Sequence, residues 1–300
     1  MTQLSSLAKE KYWYLASYPK SGNTWCRLFI TELQRISNKK ESQEVLEELN
    51  LNSDLHTGMI TSSRVWLTDQ LGINSCDLSY KEIDLMRGKC GETQWLFSDG
   101  ERFHKTHDAF TSIDSNGRPI VCTSSCNGAI YIIRNPEDIV ISLSHFFQLD
   151  LEEAVEFILN PHQSLSEQSG AGHQQVRQFM GSWDSHVSSW VDQEVLPTLV
   201  IKYEDMKLDS IATFTKLANF LNLPTDKDLI TKAIENTSIE KLKKMESDVG
   251  GFAEKPSGCD RFFRSGQVGE GSEKLSLKKR EKIYDNFSKI MDRYGYAIKR

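Results

Sequence analysis

The sequence predicts an α/β fold, because short apolar segments typical of strands alternate with segments of helical periodicity. Residues 12–16 form the first apolar run, and a glycine-containing turn separates this run from a helix over residues 26–36. Residues 129–133 are continuously apolar and rich in β-branched side chains, which favours a strand buried on both faces. A helix is predicted directly after that strand, and residues 199–202 predict a further strand.

Length and composition favour one domain over residues 1–300. A single α/β domain of this size is common, and neither a repeat nor a linker-like change in composition divides the chain. Apolar stripes over residues 176–191 and 211–221 predict two amphipathic core helices. No run approaches the roughly 20 apolar residues of a membrane span, and no basic stretch with an apolar run opens the chain. We therefore expect a cytoplasmic protein without a membrane anchor.

The net charge and the cysteine spacing indicate which ligands and partners the chain is expected to bind. A net charge of −6 gives no support for nucleic-acid binding and favours neutral or cationic small molecules over anionic ones. The six cysteines contain no Cys-x-x-Cys pair and no zinc-ligand spacing. Reduced thiols and no bound metal are therefore expected.

Residues 18–25 are the most informative part of the chain. A strand, a tight turn at Gly22 and a helix N-terminus bring backbone N–H groups and the positive end of the helix dipole to one point, which favours an anion. Lys20 adds a cation, and Trp25 offers a flat face on which a base can stack. The loop also contains three short hydrogen-bonding side chains, Ser21, Asn23 and Thr24. This pattern predicts a phosphate grip for a nucleotide, and the alternative is an ordinary turn beside a buried tryptophan.

The order of residues in this loop distinguishes it from a Walker A loop. There the lysine follows the second glycine, whereas Lys20 precedes the only glycine of the segment. The segment resembles instead the P-loop-like phosphosulfate-binding loop of sulfotransferases, whose donor is 3′-phosphoadenosine-5′-phosphosulfate (PAPS). The resemblance implies that the donor contacts the whole loop, namely Lys20, Ser21, Gly22, Asn23, Thr24 and Trp25.

A second motif follows the strand over residues 129–133. Arg134 stands at the carboxyl end of that strand, where open α/β sheets bind ligands, and a guanidinium can hold a phosphate through two parallel hydrogen bonds. Asn135 can cap the next helix and Pro136 suits its first position. Arg-Asn-x-x-Asp followed by Ser142 resembles the 3′-phosphate motif of the same family. Arg134 and Ser142 are therefore expected to contact the donor, and the alternative is that Arg134 only pairs with a nearby acid. Ser142 is also expected to take part in catalysis by holding Lys20 away until the acceptor arrives.

A third motif, Lys105-Thr106-His107, resembles the catalytic Lys-Thr-His of cytosolic-type sulfotransferases. Histidine suits removal of the acceptor proton because its ordinary pKa lies near neutrality. Alignment with the family motif assigns His107 as general base. The resemblance also implies that Lys105 neutralises the sulfuryl oxygens and that Lys20 stabilises the charge on the leaving oxygen. His104 is the competing base. A His-x-x-His pair can also bind a metal, but no third ligand stands at recognisable spacing.

Three further segments resemble nucleotide-binding elements of the family. Tyr203 begins a Tyr-Glu-Asp-Met segment whose tyrosine lies beside the adenine. Thr237 and Ser238 match a Thr-Ser-Phe element in which Ile239 replaces the phenylalanine. A last segment resembles the one that covers the 3′-phosphate, with expected contacts from Arg264, Ser265 and Gly266. Ser265 there replaces a lysine and Gly271 a tryptophan, which leaves Arg264 and the Gly266 backbone for this contact.

The resemblance extends over residues 12–296 and identifies the chain as a member of the soluble, PAPS-dependent sulfotransferases. It implies a central parallel sheet flanked by helices and in-line transfer of a sulfuryl group to a hydroxyl, amine or carbamoyl nitrogen of a small molecule, with release of adenosine 3′,5′-bisphosphate (PAP). The acidic charge and the unfamiliar acceptor loops favour natural-product biosynthesis in bacteria, with a cationic alkaloid as acceptor. The alternatives are a P-loop-like nucleotide kinase and a non-catalytic nucleotide-binding descendant. A partial match to the family's dimer segment leaves a monomer and a homodimer open.

Overall fold

The computed structural model describes residues 12–42, 60–94, 102–111, 120–123, 126–166, 174–252, 254–255 and 258–298. The sequence of residues 95–97, Trp-Leu-Phe, predicts a short strand, and the Ser-Asp-Gly sequence over residues 98–100 predicts a turn. Both segments lie outside the described ranges. Strands and helices alternate through the described part of the chain, which confirms the predicted α/β class.

The central sheet has four parallel strands in the order β2-β1-β3-β6. Their bounds are β1 Tyr12–Ser17, β2 Arg102–Thr106, β3 Cys126–Ile133 and β6 Thr198–Lys202. β1 and β2 run in register, with Trp13 opposite Phe103 and Ala16 opposite Thr106. All residues of β1 and the last six of β3 are buried, as expected for strands covered on both faces. Because β1 and β2 end side by side, the residues that follow each of them emerge at the same edge of the sheet.

Residue contacts group the chain into two compact units, each assembled from three stretches. The first unit consists of residues 1–18, 58–131 and 158–200, and the second of residues 19–57, 132–157 and 201–300. The organisation of residues 1–300 as one domain stays a prediction.

The first unit contains β1, β2 and most of β3 and β6. Its other elements are α2 (Arg64–Leu71), a 3-10 helix (Ser75–Asp77), α3 (Tyr80–Gln94), the antiparallel pair β4 (Ser164–Leu165) and β5 (Gln178–Phe179), and α6 (Trp183–Val191). The helix predicted over residues 176–191 is therefore wrong in its first part. Gly181 adopts a left-handed φ of 67°, which interrupts helical geometry, and the helix begins only after Ser182.

The second unit is mainly helical. Its elements are α1 (Asn23–Ser42), α4 (Pro136–Phe147), most of α5 (Leu151–Leu159), α7 (Tyr203–Leu208), α8 (Ser210–Phe220), α9 (Lys227–Asn236), α10 (Ile239–Asp248), α11 (Glu270–Lys274) and α12 (Leu277–Tyr294). α4 begins as predicted, because the Asn135 side chain accepts from the Glu137 N–H and Pro136 opens the helix. The helix predicted over residues 211–221 is confirmed as α8, whereas Tyr203 begins α7 and does not lie in a loop. None of the described helices combines the length and the apolar character that a membrane span requires.

Candidate active site

The turn that leads into α1 has the backbone shape of an anion cradle. Lys20 and Gly22 take left-handed φ angles of 68° and 103°. A Cβ on Gly22 would lie 2.6 Å from Cδ2 of Tyr203, so only glycine lets this turn lie against the tyrosine ring. The Cys26 N–H donates to the Gly22 carbonyl at 3.2 Å and closes the first turn of α1. The N–H groups of a first helical turn have no intrahelical acceptor, which is how helix N-termini bind phosphate.

The side chains of this turn are buried among polar and aromatic neighbours. Ser21 is only 1% exposed, and its hydroxyl has no hydrogen-bond partner among the described residues. A buried hydroxyl without a partner is unfavourable, so this one suits a ligand oxygen. Trp25 packs edge-on against Tyr203 and Phe214, with ring centroids 6.2 and 5.2 Å away. Asn23 is buried and Thr24 is half-buried at the start of α1.

Arg134 is held at the end of β3 by backbone carbonyls. Nη1 donates to the Lys20 carbonyl at 3.0 Å, and Nη2 donates to the Gln267 carbonyl at 2.9 Å. The guanidinium also lies over the Tyr203 ring at 4.4 Å and 3.9 Å from the Asp138 carboxylate. Its Nε is buried and has no partner in the part of the chain that the structure describes. Arg134 therefore ties three segments together and keeps donor capacity for an anion.

The Lys20 ammonium lies over aromatic rings. Nζ is 3.6 Å from the centroid of Phe146 and 4.7 Å from that of Phe262. Ser142 lies half-buried on α4, one helical turn before Phe146 and on the same face. The role that the sequence gives Ser142 stays a prediction.

The carboxylate of Glu270 holds the segment over residues 264–274 together. Arg264 donates to both oxygens of Glu270 at 3.0 and 2.5 Å, and Ser265 and Lys274 donate to the same carboxylate at 2.7 and 2.6 Å. Burial alone would raise the pKa of Glu270, but these three donors overcome it and lower the pKa to about 2. Glu270 belongs to the segment that resembles the family's 3′-phosphate element, but the sequence pattern indicates no role for it; the structure shows that it holds Arg264 and Ser265 in place.

Gly271 explains one departure from the family pattern. The Gly269 and Gly271 N–H groups each donate to the Asp138 carboxylate at 2.8 Å, which fastens α11 to α4. A Cβ on Gly271 would lie 2.4 Å from the Glu137 carbonyl carbon. The position where the family pattern has a tryptophan therefore accepts no side chain in this arrangement.

Thr237 and Ser238 serve the helices around them. The Thr237 hydroxyl is fully buried and donates to the Ala233 carbonyl at 2.8 Å. Ser238 caps α10 by accepting from the Lys241 N–H. The next residue, Ile239, lies close to the segment that contains Gly266, because a Cβ on Gly266 would lie 3.3 Å from Ile239 and 3.5 Å from the Tyr203 hydroxyl. Contacts of Thr237 and Ser238 with a nucleotide stay predictions.

His107 follows β2 in the first unit and is oriented by β1. Its Nδ1 lies 2.8 Å from the Ser17 carbonyl oxygen and 3.4 Å from the Ser17 hydroxyl. A carbonyl only accepts, so Nδ1 carries the proton and Nε2 carries the lone pair. This tautomer is the one a general base requires, and the local sequence gives no signal for it.

The backbone of His107 is fixed by His186. His186 Nε2 donates to the His107 carbonyl at 3.1 Å, and its Nδ1 accepts from the Tyr131 hydroxyl at 2.8 Å. Burial lowers the pKa of His186 to about 4, which keeps this ring neutral near pH 7. His186 thus fixes the backbone of His107 through this hydrogen bond.

Asp108 anchors the other side of His107. Its carboxylate accepts from Arg87 in a fully buried ion pair, from the Phe179 N–H at 3.1 Å and from the Thr106 hydroxyl at 3.1 Å. Its carbonyl accepts from the Trp190 indole at 2.9 Å. Asp108 was available to sequence reasoning because it directly follows the Lys-Thr-His motif, whereas Arg87 carries no local signal.

His104 and Lys105 have different surroundings from His107. His104 is buried on β2 and stacks on Tyr12, with ring centroids 4.4 Å apart. Lys105 is half-buried, and its carbonyl accepts from the Thr61 N–H at 3.1 Å. The side-chain role given to Lys105 stays a prediction.

Within the second unit, four residues from three of the predicted donor motifs meet at Tyr203. Gly22 lies against its ring, Arg134 lies over its face, Trp25 meets its edge, and Gly266 lies beside its hydroxyl. Burial raises the pKa of Tyr203, so its hydroxyl is a neutral hydrogen-bonding group. Sequence spacing alone does not show that these motifs converge.

Comparisons with known proteins identify the family and its relatives. A model of the sulfotransferase domain matches residues 11–295. The chain is 25% identical over 283 residues to luciferin sulfotransferase from Photinus pyralis, covering 88% of this chain and 68% of the relative. It is 26% identical over 301 residues to flavonol 3-sulfotransferase from Flaveria bidentis, covering 95% of this chain and 83% of the relative.

Solved structures resemble the fold. A mouse sulfotransferase complexed with PAP superposes with a TM-score of 0.55 at 20% identity, covering 96% of this chain and 88% of that one. Retinol dehydratase in a complex with retinol and PAP gives a TM-score of 0.59 at 14% identity, covering 93% and 81%. These likenesses confirm the predicted sheet architecture. Since the family model spans nearly the whole chain, the recognition made from the sequence is confirmed, and the chain belongs to the sulfotransferase family.

Proposed function

We propose that this sulfotransferase moves the sulfuryl group from PAPS to a hydroxyl or a nitrogen of a small-molecule acceptor. The observation that supports the proposal most is the convergence of the donor motifs on Tyr203. That convergence brings the turn before α1, the Arg134 guanidinium and the Gly266 backbone against one aromatic residue. A nucleoside with phosphates at both ends of its ribose requires this combination of groups.

Each donor motif has a proposed part in binding. The turn over residues 20–24 takes the 5′-phosphosulfate through backbone N–H groups and the Ser21 hydroxyl. Arg134 takes the 3′-phosphate, helped by Ser142 and by Arg264 with the Gly266 backbone. Trp25 and Tyr203 flank the adenine, together with Thr237 and Ser238. Asn135 and Pro136 support this by fixing the start of α4.

The transfer itself is an in-line displacement at sulfur. The acceptor oxygen or nitrogen forms a bond to sulfur while the bond from sulfur to the bridging oxygen of PAPS breaks. The acceptor proton passes to Nε2 of His107, and PAP leaves with the bridging electrons. Lys20 stabilises the charge on the leaving oxygen, and Lys105 neutralises the sulfuryl oxygens. No metal ion is required by this scheme.

His107 is the preferred base because of its tautomer. The Ser17 carbonyl fixes the proton on Nδ1, which leaves Nε2 to accept a proton. His104, the competing residue, is buried and stacked on Tyr12. Because its ring is buried against Tyr12, His104 is less accessible to an acceptor than the half-buried His107.

The acceptor class follows from charge. The net charge of −6 favours neutral or cationic acceptors, and a cationic alkaloid natural product is the acceptor we propose to test first. A nucleotide kinase is not favoured, since the chain belongs to the sulfotransferase family and lacks the Walker A order. Cytoplasmic location and the choice between monomer and homodimer stay predictions.

The deciding experiment is an acceptor screen with PAPS, read by mass spectrometry as the gain of one sulfo group. The panel contains phenols, alcohols, amines and cationic alkaloids, and PAP release is measured in parallel. We expect transfer to at least one class, and transfer that disappears when PAPS is replaced by ATP with magnesium.

One variant and two binding measurements distinguish the proposal from its alternatives. Lys20→Met keeps the loop but lacks the ammonium, and it should abolish transfer while PAP still binds. A chain that binds PAP but transfers to no acceptor would favour the non-catalytic descendant. A chain that binds ATP with magnesium and not PAP would contradict the proposal.

A further inference from the structure

The Lys20 ammonium has a preformed aromatic partner. Its distances of 3.6 Å to the Phe146 centroid and 4.7 Å to the Phe262 centroid fall within the about 6 Å over which a ring face attracts a cation. The two rings meet edge to face, with centroids 5.8 Å apart and planes at 80°. They therefore form one aromatic pair around the ammonium.

The surroundings fix both rings of this pair. Phe146 lies in the last turn of α4 and packs edge-on against Phe147 at 5.0 Å. The Phe262 N–H donates to the buried Glu246 carboxylate at 2.7 Å, and its ring packs against Phe252 at 4.7 Å. Because both backbone and ring contacts hold the pair, its geometry is part of the second unit.

The backbone of Lys20 is held separately from its ammonium. Arg134 donates to the Lys20 carbonyl at 3.0 Å, and the residue has a left-handed φ of 68°. With the backbone fixed in this way, the ammonium changes its partner only through its own side-chain torsions. It can lie on the aromatic pair or on an anion in the loop.

We propose that Phe146 and Phe262 are positioning residues that hold the Lys20 ammonium and compete with the donor phosphate for it. This inference rests on the proposed function, in which Lys20 stabilises the charge on the bridging oxygen of PAPS. A charged phosphate attracts an ammonium more strongly than a ring does, so the donor takes Lys20 from the pair. The competition lowers nucleotide affinity. It is separate from the role predicted for Ser142.

The first test requires no nucleotide. Brief treatment with acetic anhydride labels lysines, and mass spectrometry gives the rate at Lys20 relative to the exposed Lys207. Phe146→Met and Phe262→Met fill similar volume without a ring face. We expect faster labelling of Lys20 in both, by about two- to fivefold, which corresponds to about 0.5 to 1 kcal/mol of lost attraction.

Matched controls keep this test specific. Phe146→Tyr and Phe262→Tyr retain a ring and should label like the wild type. Equal Lys20 labelling in the wild type and both methionine variants at positions 146 and 262 would overturn the inference.

The second test measures PAP affinity by calorimetry. Phe262→Met should bind PAP about two- to fivefold more tightly, because Lys20 no longer leaves a ring to reach phosphate. In a Lys20→Met background the same substitution should have no effect. An unchanged affinity, or an equal change in both backgrounds, would overturn the competition. If the wild type fails to bind PAP, the proposed function fails, while the labelling result still decides whether the aromatic pair holds Lys20.

Discussion

At the scale of single residues, the chemistry of His107 depends on one backbone oxygen. The Ser17 carbonyl lies on the neighbouring strand and holds the proton on Nδ1, so Nε2 is the basic nitrogen. A histidine in a short motif is only a candidate, because either ring nitrogen can carry the proton. The contact with Ser17 defines the orientation of the ring and leaves Nε2 as the nitrogen that can accept a proton.

Replacing His107 with alanine should lower turnover by about 10²- to 10⁴-fold, since general-base catalysis contributes this much. PAP affinity should stay unchanged, because His107 acts on the acceptor proton. Steady-state kinetics and calorimetry measure the two quantities. His104→Phe keeps the stacking on Tyr12 and removes both ring nitrogens. A large loss of turnover in His104→Phe together with an active His107→Ala would reverse the assignment.

Arg134 donates to two backbone carbonyls, and we propose that it also binds the 3′-phosphate. A substitution can separate these two roles. Arg134→Lys keeps a positive charge but loses the planar fork, so PAP should bind about 10- to 100-fold more weakly, the loss expected for charged hydrogen bonds. AMP, which lacks the 3′-phosphate, should lose much less. Calorimetry with both nucleotides measures the difference. Equal losses for PAP and AMP would mean that Arg134 acts only through the Lys20 and Gln267 carbonyls.

At the scale of elements, the residues at helix ends were the most predictable. Asn135 and Pro136 start α4 where the sequence places it, because caps act within a few residues. The predicted helix over residues 176–191 was wrong at its start because Gly181 is left-handed and the Phe179 N–H donates to Asp108. That competing acceptor lies far away in the sequence, so the local apolar pattern did not reveal it.

The junction between β2 and α3 depends on the buried pair of Arg87 and Asp108. Arg87→Met leaves the Asp108 carboxylate buried and unpaired, which should lower the free energy of unfolding by about 3 to 5 kcal/mol. The double variant Arg87→Met/Asp108→Asn should lose less than Arg87→Met alone, because asparagine is neutral and still accepts from Phe179. Urea unfolding of the wild type, Arg87→Met, Asp108→Asn and the double variant tests this. Simple additivity of the two single effects would argue against the pair.

The contact between α11 and α4 depends on Gly271. A methyl group there meets the Glu137 backbone at 2.4 Å, so Gly271→Ala should destabilise the protein by about 1 to 3 kcal/mol. Glu273→Ala on the exposed side of α11 is the matched control and should change stability by less than about 0.5 kcal/mol. Thermal and urea unfolding measure both. Equal stability of the two variants would contradict the close packing.

At the scale of the whole molecule, buried histidine makes stability depend on pH. The pKa of His186 is about 4 in the folded chain and near 6.5 when unfolded. Between these values only the unfolded chain binds the proton, so stability falls as pH drops from about 6.5 to about 4, by about 3 kcal/mol. Urea unfolding at several pH values measures the slope. His186→Gln should flatten the slope in this window, and an unchanged slope would contradict the assignment. The stability that Glu270 contributes is lost at lower pH, as the pH falls from about 4.5 to about 2, because its donors lower the pKa of this carboxyl group to about 2.

The sequence by itself determined the family, the donor loop, the position of Arg134 and the candidate base, because each depends on residues close together in the chain. Tertiary structure decided which nitrogen of His107 is basic, which rings hold Lys20 and why Gly271 must be small. These features depend on contacts between residues 90 or more positions apart, such as Ser17 with His107 and Lys20 with Phe146. Spacing along a chain encodes local geometry, whereas such contacts exist only once the elements have packed.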